Sequence, residues 1–75
     1  MARDKADPII QELYVIRRMM GVTIAEVAER AGINPATISK AELGFQAPRL
    51  AVIRAYAEAL GLTLALVDPE DTGKL

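Results

Sequence analysis

Residues 23–44 read TIAEVAERAGINPATISKAELG, and this stretch decides the fold. Thr23, followed three residues later by Glu26, is a capping box at a helix start. Val27, Ala28 and Ala31 give that helix an inward side, and Gly32 stops it. Asn34-Pro35 then opens a second helix, because asparagine caps well and a proline at the first helical position forfeits no hydrogen bond. The second helix runs to about Leu43 and ends at Gly44. Its residues Ile38, Ala41 and Glu42 share one side, and Ala36, Thr37, Ser39 and Lys40 lie on or near the other. The reading is two short helices joined by a tight turn, the second presenting a small polar face outward.

Outward from this stretch the same signals recur. Asp7-Pro8 opens an earlier helix that Gly21 ends, with Ile9, Leu13, Ile16 and Met20 as its apolar stripe. Pro48 opens a later helix, with Leu50, Ile53, Ala57 and Leu60 as its stripe, and Gly61 closes it. Thr63, Leu64, Ala65, Leu66 and Val67 form a short apolar run bounded by Gly61 and Pro69. Length and breakers favour a strand there over a fifth helix. A lone strand is not stable in water, and the chain offers no second one, so its partner is expected to be the same segment of another copy. The expected domain is single, 1–75, with a core over 8–61, a dimerisation strand over 63–67 and a mobile tail over 68–75.

Composition excludes much. Hydrophobic residues are 52% of the 75, enough for one small core, while aromatics are only 4%, which favours closely packed helices over a sheet. Cysteine and histidine are both absent, which removes disulfides, thiol nucleophiles, imidazole bases and the usual zinc ligands. No cofactor is expected. No apolar run approaches the roughly 18 residues of a membrane span, so a cytoplasmic protein without a membrane partner is expected. An enzyme is not. The nucleophile nearest the motif is Ser39, which has no histidine or obvious lysine partner to activate it, and there is no glycine-rich phosphate loop.

The net charge is −1, but residues 17–54 carry Arg17, Arg18, Arg30, Lys40, Arg49 and Arg54 against Glu26, Glu29 and Glu42, a local excess of +3. Residues 55–75 carry Glu58, Asp68, Glu70 and Asp71 against Lys74, a balance of −3. One end can face phosphate while the other faces away. A helix pair with Ala28, Gly32, Ile33 and Ile38 at these spacings is how a helix-turn-helix packs, and such a motif usually enters the DNA major groove.

Over about residues 9–62 the order of elements resembles the lambda-repressor-like, Cro/Xre family of helix-turn-helix DNA-binding domains. The resemblance rests on Arg17 four before Gly21, Thr23 with Glu26-Val27-Ala28, Gly32-Ile33, Ile38-Ser39-Lys40, Glu42 two before Gly44, Pro48, and Ala57-Glu58-Ala59-Leu60-Gly61. The C-terminal run is similar to that of small phage regulators and antitoxin-type autorepressors, whose strands pair across a dimer. The sequence departs from the family at Ile24, where glutamine is common, and at Pro35 and Ala36, where Gln, Arg or Ser often stand. The resemblance implies an all-α, four-helix bundle with a short C-terminal β-strand. It implies a sequence-specific transcriptional regulator, a repressor or autorepressor, that binds double-stranded operator DNA as a homodimer through helix 34–43.

The expected site follows. Lys40 can reach guanine O6 and N7, Thr37 or Ala36 a thymine methyl, and Asn34 a base edge or phosphate. Arg18, Thr23, Ser39 and Arg49 are the phosphate candidates, and Arg54, later on its helix, serves either a phosphate or a dimer interface; Arg49 stands near a helix N-terminus, where free N–H groups also favour an anion. Arg17 and Glu42 fall on the apolar sides of their helices, and two charges aimed at one core are costly unless they meet; the family resemblance implies an ion pair between them. Phe45 is expected to anchor its loop on the core, and Tyr14, Val52 and Tyr56 either fill the core or line a dimer surface. The rival to DNA binding is a protein-interaction module, antitoxin-like or a phage regulatory subunit, whose partner is a toxin or phage factor and whose own DNA affinity is small.

Overall fold

A computed structural model describes residues 6–66. Within them the chain forms four α-helices: α1 (Pro8–Met20), α2 (Ile24–Ala31), α3 (Pro35–Leu43) and α4 (Leu50–Ala59).

Local chemistry sets most of the boundaries. The Asp7 carboxylate accepts from the Ile9 N–H at 2.9 Å, with Pro8 in the first turn. Thr23 and Glu26 make both halves of the capping box: the Glu26 N–H donates to Thr23 Oγ1 at 3.1 Å and the Thr23 N–H donates to Glu26 Oε1 at 3.0 Å. Asn34 Oδ1 accepts from the Ala36 N–H at 2.8 Å. Gly32 turns the chain between α2 and α3 at φ 69°, left-handed backbone that a side chain would strain. Gly21 and Gly44 end α1 and α3 in the same way.

α2 packs against both α3 and α4, and α1 against both as well. The core they enclose holds Ile10 and Leu13 of α1, Val27 and Ala28 of α2, Ile38 and Ala41 of α3, Ile53, Tyr56 and Ala57 of α4, and Leu60 at the end of α4. Small residues at Ala28, Ala41 and Ala57 let the helix axes approach closely.

Four expectations are corrected. The buried side of α1 is Ile10, Leu13 and Arg17, while Ile9 and Met20 are largely exposed. Two adjacent isoleucines fit either phase, and it is Ile10 that enters the core. α4 starts at Leu50 with Arg49 at its N-cap, two residues after Pro48, and Leu50 is exposed; no Asp, Ser, Thr or Asn precedes Pro48 to close a cap there. Phe45 is exposed as well: its N–H donates to the Lys40 carbonyl at 2.9 Å, just past the left-handed turn at Gly44.

The fourth concerns the strand. No strand occurs among the described residues: Thr63, Leu64, Ala65 and Leu66 have no regular secondary structure, and Val67 and the expected tail lie outside the described residues. A strand needs a ladder, and the described residues supply no neighbour for this run. Leu62 and Leu64 pack against the core, but Leu66 is as exposed as in an unfolded chain. No helix among the described residues is long and apolar enough to cross a membrane.

Candidate nucleic-acid interface

The site is organised around the way α3 is held. Its inner side is Ile38, Ala41 and Glu42, all buried. Glu42 is charged and only 4% exposed, so it needs partners. Arg17, 6% exposed on α1, supplies two: Nε donates to Glu42 Oε2 at 2.9 Å and Nη2 donates to Oε1 at 3.0 Å. This is the paired fork that guanidinium makes with carboxylate. The remaining terminal nitrogen, Nη1, donates to the Val22 carbonyl at 2.8 Å, which fixes the turn between α1 and α2. A third donor reaches Glu42 from α4, where the Tyr56 hydroxyl donates to Oε2. The structure thus joins α1, α3 and α4 at one carboxylate.

The electrostatics follow from burial and these bonds. Burial is the largest single influence on Arg17 and works against its charge, but the hydrogen bonds and charge of Glu42, with help from Tyr56, together hold its ionisation above the ordinary value. Burial pushes the Tyr56 hydroxyl well above the usual tyrosine range, and its bond to the Glu42 carboxylate pushes it further. Tyr56 therefore remains a neutral donor.

Tyr56 is the residue that sequence reasoning left unassigned. A signal for it exists: Ile53, Tyr56, Ala57 and Leu60 follow the i, i+3, i+4, i+7 pattern of a buried helical side. A buried tyrosine hydroxyl needs an acceptor, and Glu42 was already placed inward.

The opposite side of α3 is open. Asn34, Ala36 and Lys40 are exposed, and Thr37 and Ser39 are half-buried. Ala36 and Lys40 stand one turn apart on one side. The Oδ1 of Asn34 is engaged as the cap of α3, leaving its amide N–H groups as the donors for any other partner.

The phosphate candidates separate on their geometry. Arg18 is exposed, with its guanidinium 5.9 Å from the centre of the Tyr14 ring. Arg49 is exposed at the N-cap of α4, where no side chain caps the helix. Thr23 is exposed, but its hydroxyl already donates to Glu26 Oε1 at 3.1 Å and the Glu26 carboxylate sits at the same helix end. The bonds from Thr23 hold the Glu26 carboxyl below its ordinary range, with a smaller contribution from Arg30. Ile24, where the family commonly has glutamine, packs in part against the core. The start of α2 is therefore chemically less suited to an anion than the start of α4.

A helix pair of this geometry, with the polar side of its second helix open and the inner side locked by a buried charge, defines a helix-turn-helix domain. The family model described as "Helix-turn-helix" matches residues 13–67. The chain belongs to this family, the Cro/C1-type helix-turn-helix proteins, whose members bind DNA. No curated protein and no solved structure matches the chain significantly.

Proposed function

We propose that this protein is a transcriptional regulator, a repressor or autorepressor, that binds operator DNA as a homodimer with α3 in the major groove. The observation that carries the reading is the two-sidedness of α3: Ile38, Ala41 and Glu42 are buried, while Asn34, Ala36 and Lys40 face solvent. Lys40 is the proposed base reader, with Asn34, Ala36 and Thr37 beside it. Ala36 and Thr37 offer methyl groups to thymine. Arg49 and Arg18 are proposed to grip phosphates, with Ser39 as a further contact and Thr23 the weakest of the set. Such a small reading set leaves much of the specificity to groove shape and to the coupling of two half-sites.

The proposed dimer contact is the apolar face where α1, α4 and the last described residues meet. Ile9, Leu50 and Leu66 are exposed there, and together with Leu64 and Arg54 they line a cleft of about 280 Å³. Four large apolar side chains around one exposed cleft favour burial against another surface, and a second copy offers Leu66 as well as the cleft. Two copies would set their α3 helices about 34 Å apart, one turn of the duplex.

A mobility shift on DNA flanking the gene, run across a salt series, tests this reading. We expect a discrete complex at low salt that weakens steeply as salt rises. Lys40→Ala is expected to weaken specific binding by about 1–3 kcal/mol and binding to random DNA much less. Absence of any shift at low salt, with binding to a protein partner instead, would replace this reading with the interaction module.

A further inference from the structure

The polar link between α3 and α4 reaches further than stability. Glu42 is the next-to-last residue of α3. Its carboxylate is gripped from α1 by Arg17 and from α4 by Tyr56. The other anchors on this side of α3, Ile38 and Ala41, are apolar, and apolar contacts carry no direction of their own. The hydrogen bonds to Glu42 do carry direction.

At 3.6 residues per turn, Lys40 stands about 200° around the helix from Glu42, on the far side. A roll of α3 by about 10° would carry a side-chain tip through about 1 Å at a radius of ~5–6 Å. Hydrogen bonds to base edges fail over displacements of that size. Long arginines on phosphates follow the movement at little cost.

We propose that Tyr56 is a positioning residue for DNA reading: its hydroxyl, bonded to Glu42, fixes the roll of α3 and so sets discrimination between sequences rather than overall affinity for DNA. The inference rests on α3 being the reading helix. It assigns the role to a side chain on α4 that faces the core, is fully buried and never meets DNA.

Tyr56→Phe is the direct variant. It keeps the ring that fills the core and leaves Glu42 Oε2 its bond from Arg17 Nε. Ile53→Val on the same helix is the control, since it costs core packing without touching Glu42. The probes are duplexes selected from a random pool by the wild-type protein and an unselected random duplex of the same length. Affinities are measured for wild type and both variants at matched salt.

Tyr56→Phe is expected to lower affinity for the selected duplex roughly five- to tenfold, the low end of what the loss of a whole base contact costs. Its affinity for the random duplex and its salt slope should match wild type, and Ile53→Val should leave the ratio of selected to random affinity unchanged. The inference is overturned if Tyr56→Phe discriminates as well as wild type, if it loses affinity equally for both duplexes, or if Ile53→Val loses discrimination to the same degree. A wild-type protein from which no preferred duplex can be selected overturns the DNA-reading proposal itself; a selective wild type with an equally selective Tyr56→Phe overturns this inference alone.

Discussion

Arg17–Glu42 and Arg30–Glu26 pair the same two kinds of side chain in two regions of one small domain. The first joins α1 to α3 across 25 residues of sequence, with 7% and 5% of the side chains exposed. The second lies along the surface of α2 in an i, i+4 relation, at 3.9 Å with both side chains 51% exposed. The buried pair has a two-toothed fork, a third donor from Tyr56, and a carbonyl that occupies the remaining guanidinium nitrogen. The exposed pair has a single long contact in water, and Arg30 also donates to the Ala59 carbonyl at 3.3 Å. Burial raises the cost of each charge and at the same time makes every compensating bond count. The inner pair therefore determines how the helices are arranged, while water and salt can replace the outer one.

The largest expected effect tests that difference directly. Arg17→Ala or Glu42→Ala leaves the other charge buried without its countercharge, and each is expected to cost about 3–5 kcal/mol. Small domains have about 5–15 kcal/mol in total, so either variant should be close to unfolding. The double variant Arg17→Met with Glu42→Leu removes both charges and fills the space. It is expected to be more stable than either single variant, because no orphan charge remains. Urea melts of the three proteins decide the matter. Single variants with wild-type midpoints would show that the pair does not hold α1 to α3.

Next in size is Tyr56→Phe, at about 0.5–1.5 kcal/mol for a hydrogen bond whose acceptor keeps other donors. The variant also carries a pH signature. Unfolded, the hydroxyl ionises near 10.0; folded, burial and the Glu42 carboxylate move it higher. A raised folded value means that the contribution of the neutral hydroxyl is complete below the unfolded value and is lost as pH rises through the folded one. Wild-type stability should therefore fall with increasing pH above about 10, and that of Tyr56→Phe should fall less steeply. Chemical melts between pH 8 and 11 measure the two slopes. Equal slopes would mean that Tyr56 is not held neutral by the core.

Helix ends were legible in the sequence because their causes lie within three or four residues. Asp7-Pro8, the Thr23–Glu26 box, Asn34-Pro35 and the glycines at 21, 32 and 44 each act on their own neighbours, and the structure places α1, α2 and α3 between them. Pro48 carried the same kind of signal without a capping side chain before it, and the helix begins later, at Leu50. The phase of α1 was not legible, because Ile9 and Ile10 are equally apolar and only the packed helices choose between them. The partner of Tyr56 was not legible from α4 alone, because Glu42 lies 14 residues away on another helix. In the proposed interface, the outward side of α3 followed from its 3.6-residue period, whereas the engagement of Thr23 by Glu26 required the side-chain geometry. The run 63–66 stayed beyond reach for a different reason: the described residues provide no ladder to decide its form.

The remaining effects belong to α2, the smallest of them at Arg30, and they separate two roles of Glu26. Thr23→Ala removes the cap and is expected to cost about 1 kcal/mol. Arg30→Ala removes only an exposed, screened pair and a long carbonyl contact, so its thermal midpoint should move less than that of Thr23→Ala. The acid side of the stability curve then identifies which partner matters to Glu26. Its folded ionisation lies below the ordinary value of 4.5, chiefly through the Thr23 backbone N–H, then the Thr23 hydroxyl, with Arg30 the lesser cause. A depressed folded value gives stability that is present above the unfolded value and is lost as pH falls through the folded one. Melts between pH 2 and 6 should therefore show this acid loss nearly intact in Arg30→Ala and diminished in Thr23→Ala, where the hydroxyl is gone and the helix end is looser. The reverse order would make the surface ion pair, rather than the cap, the interaction that holds Glu26 charged, and it would narrow the contrast between the two Arg–Glu pairs.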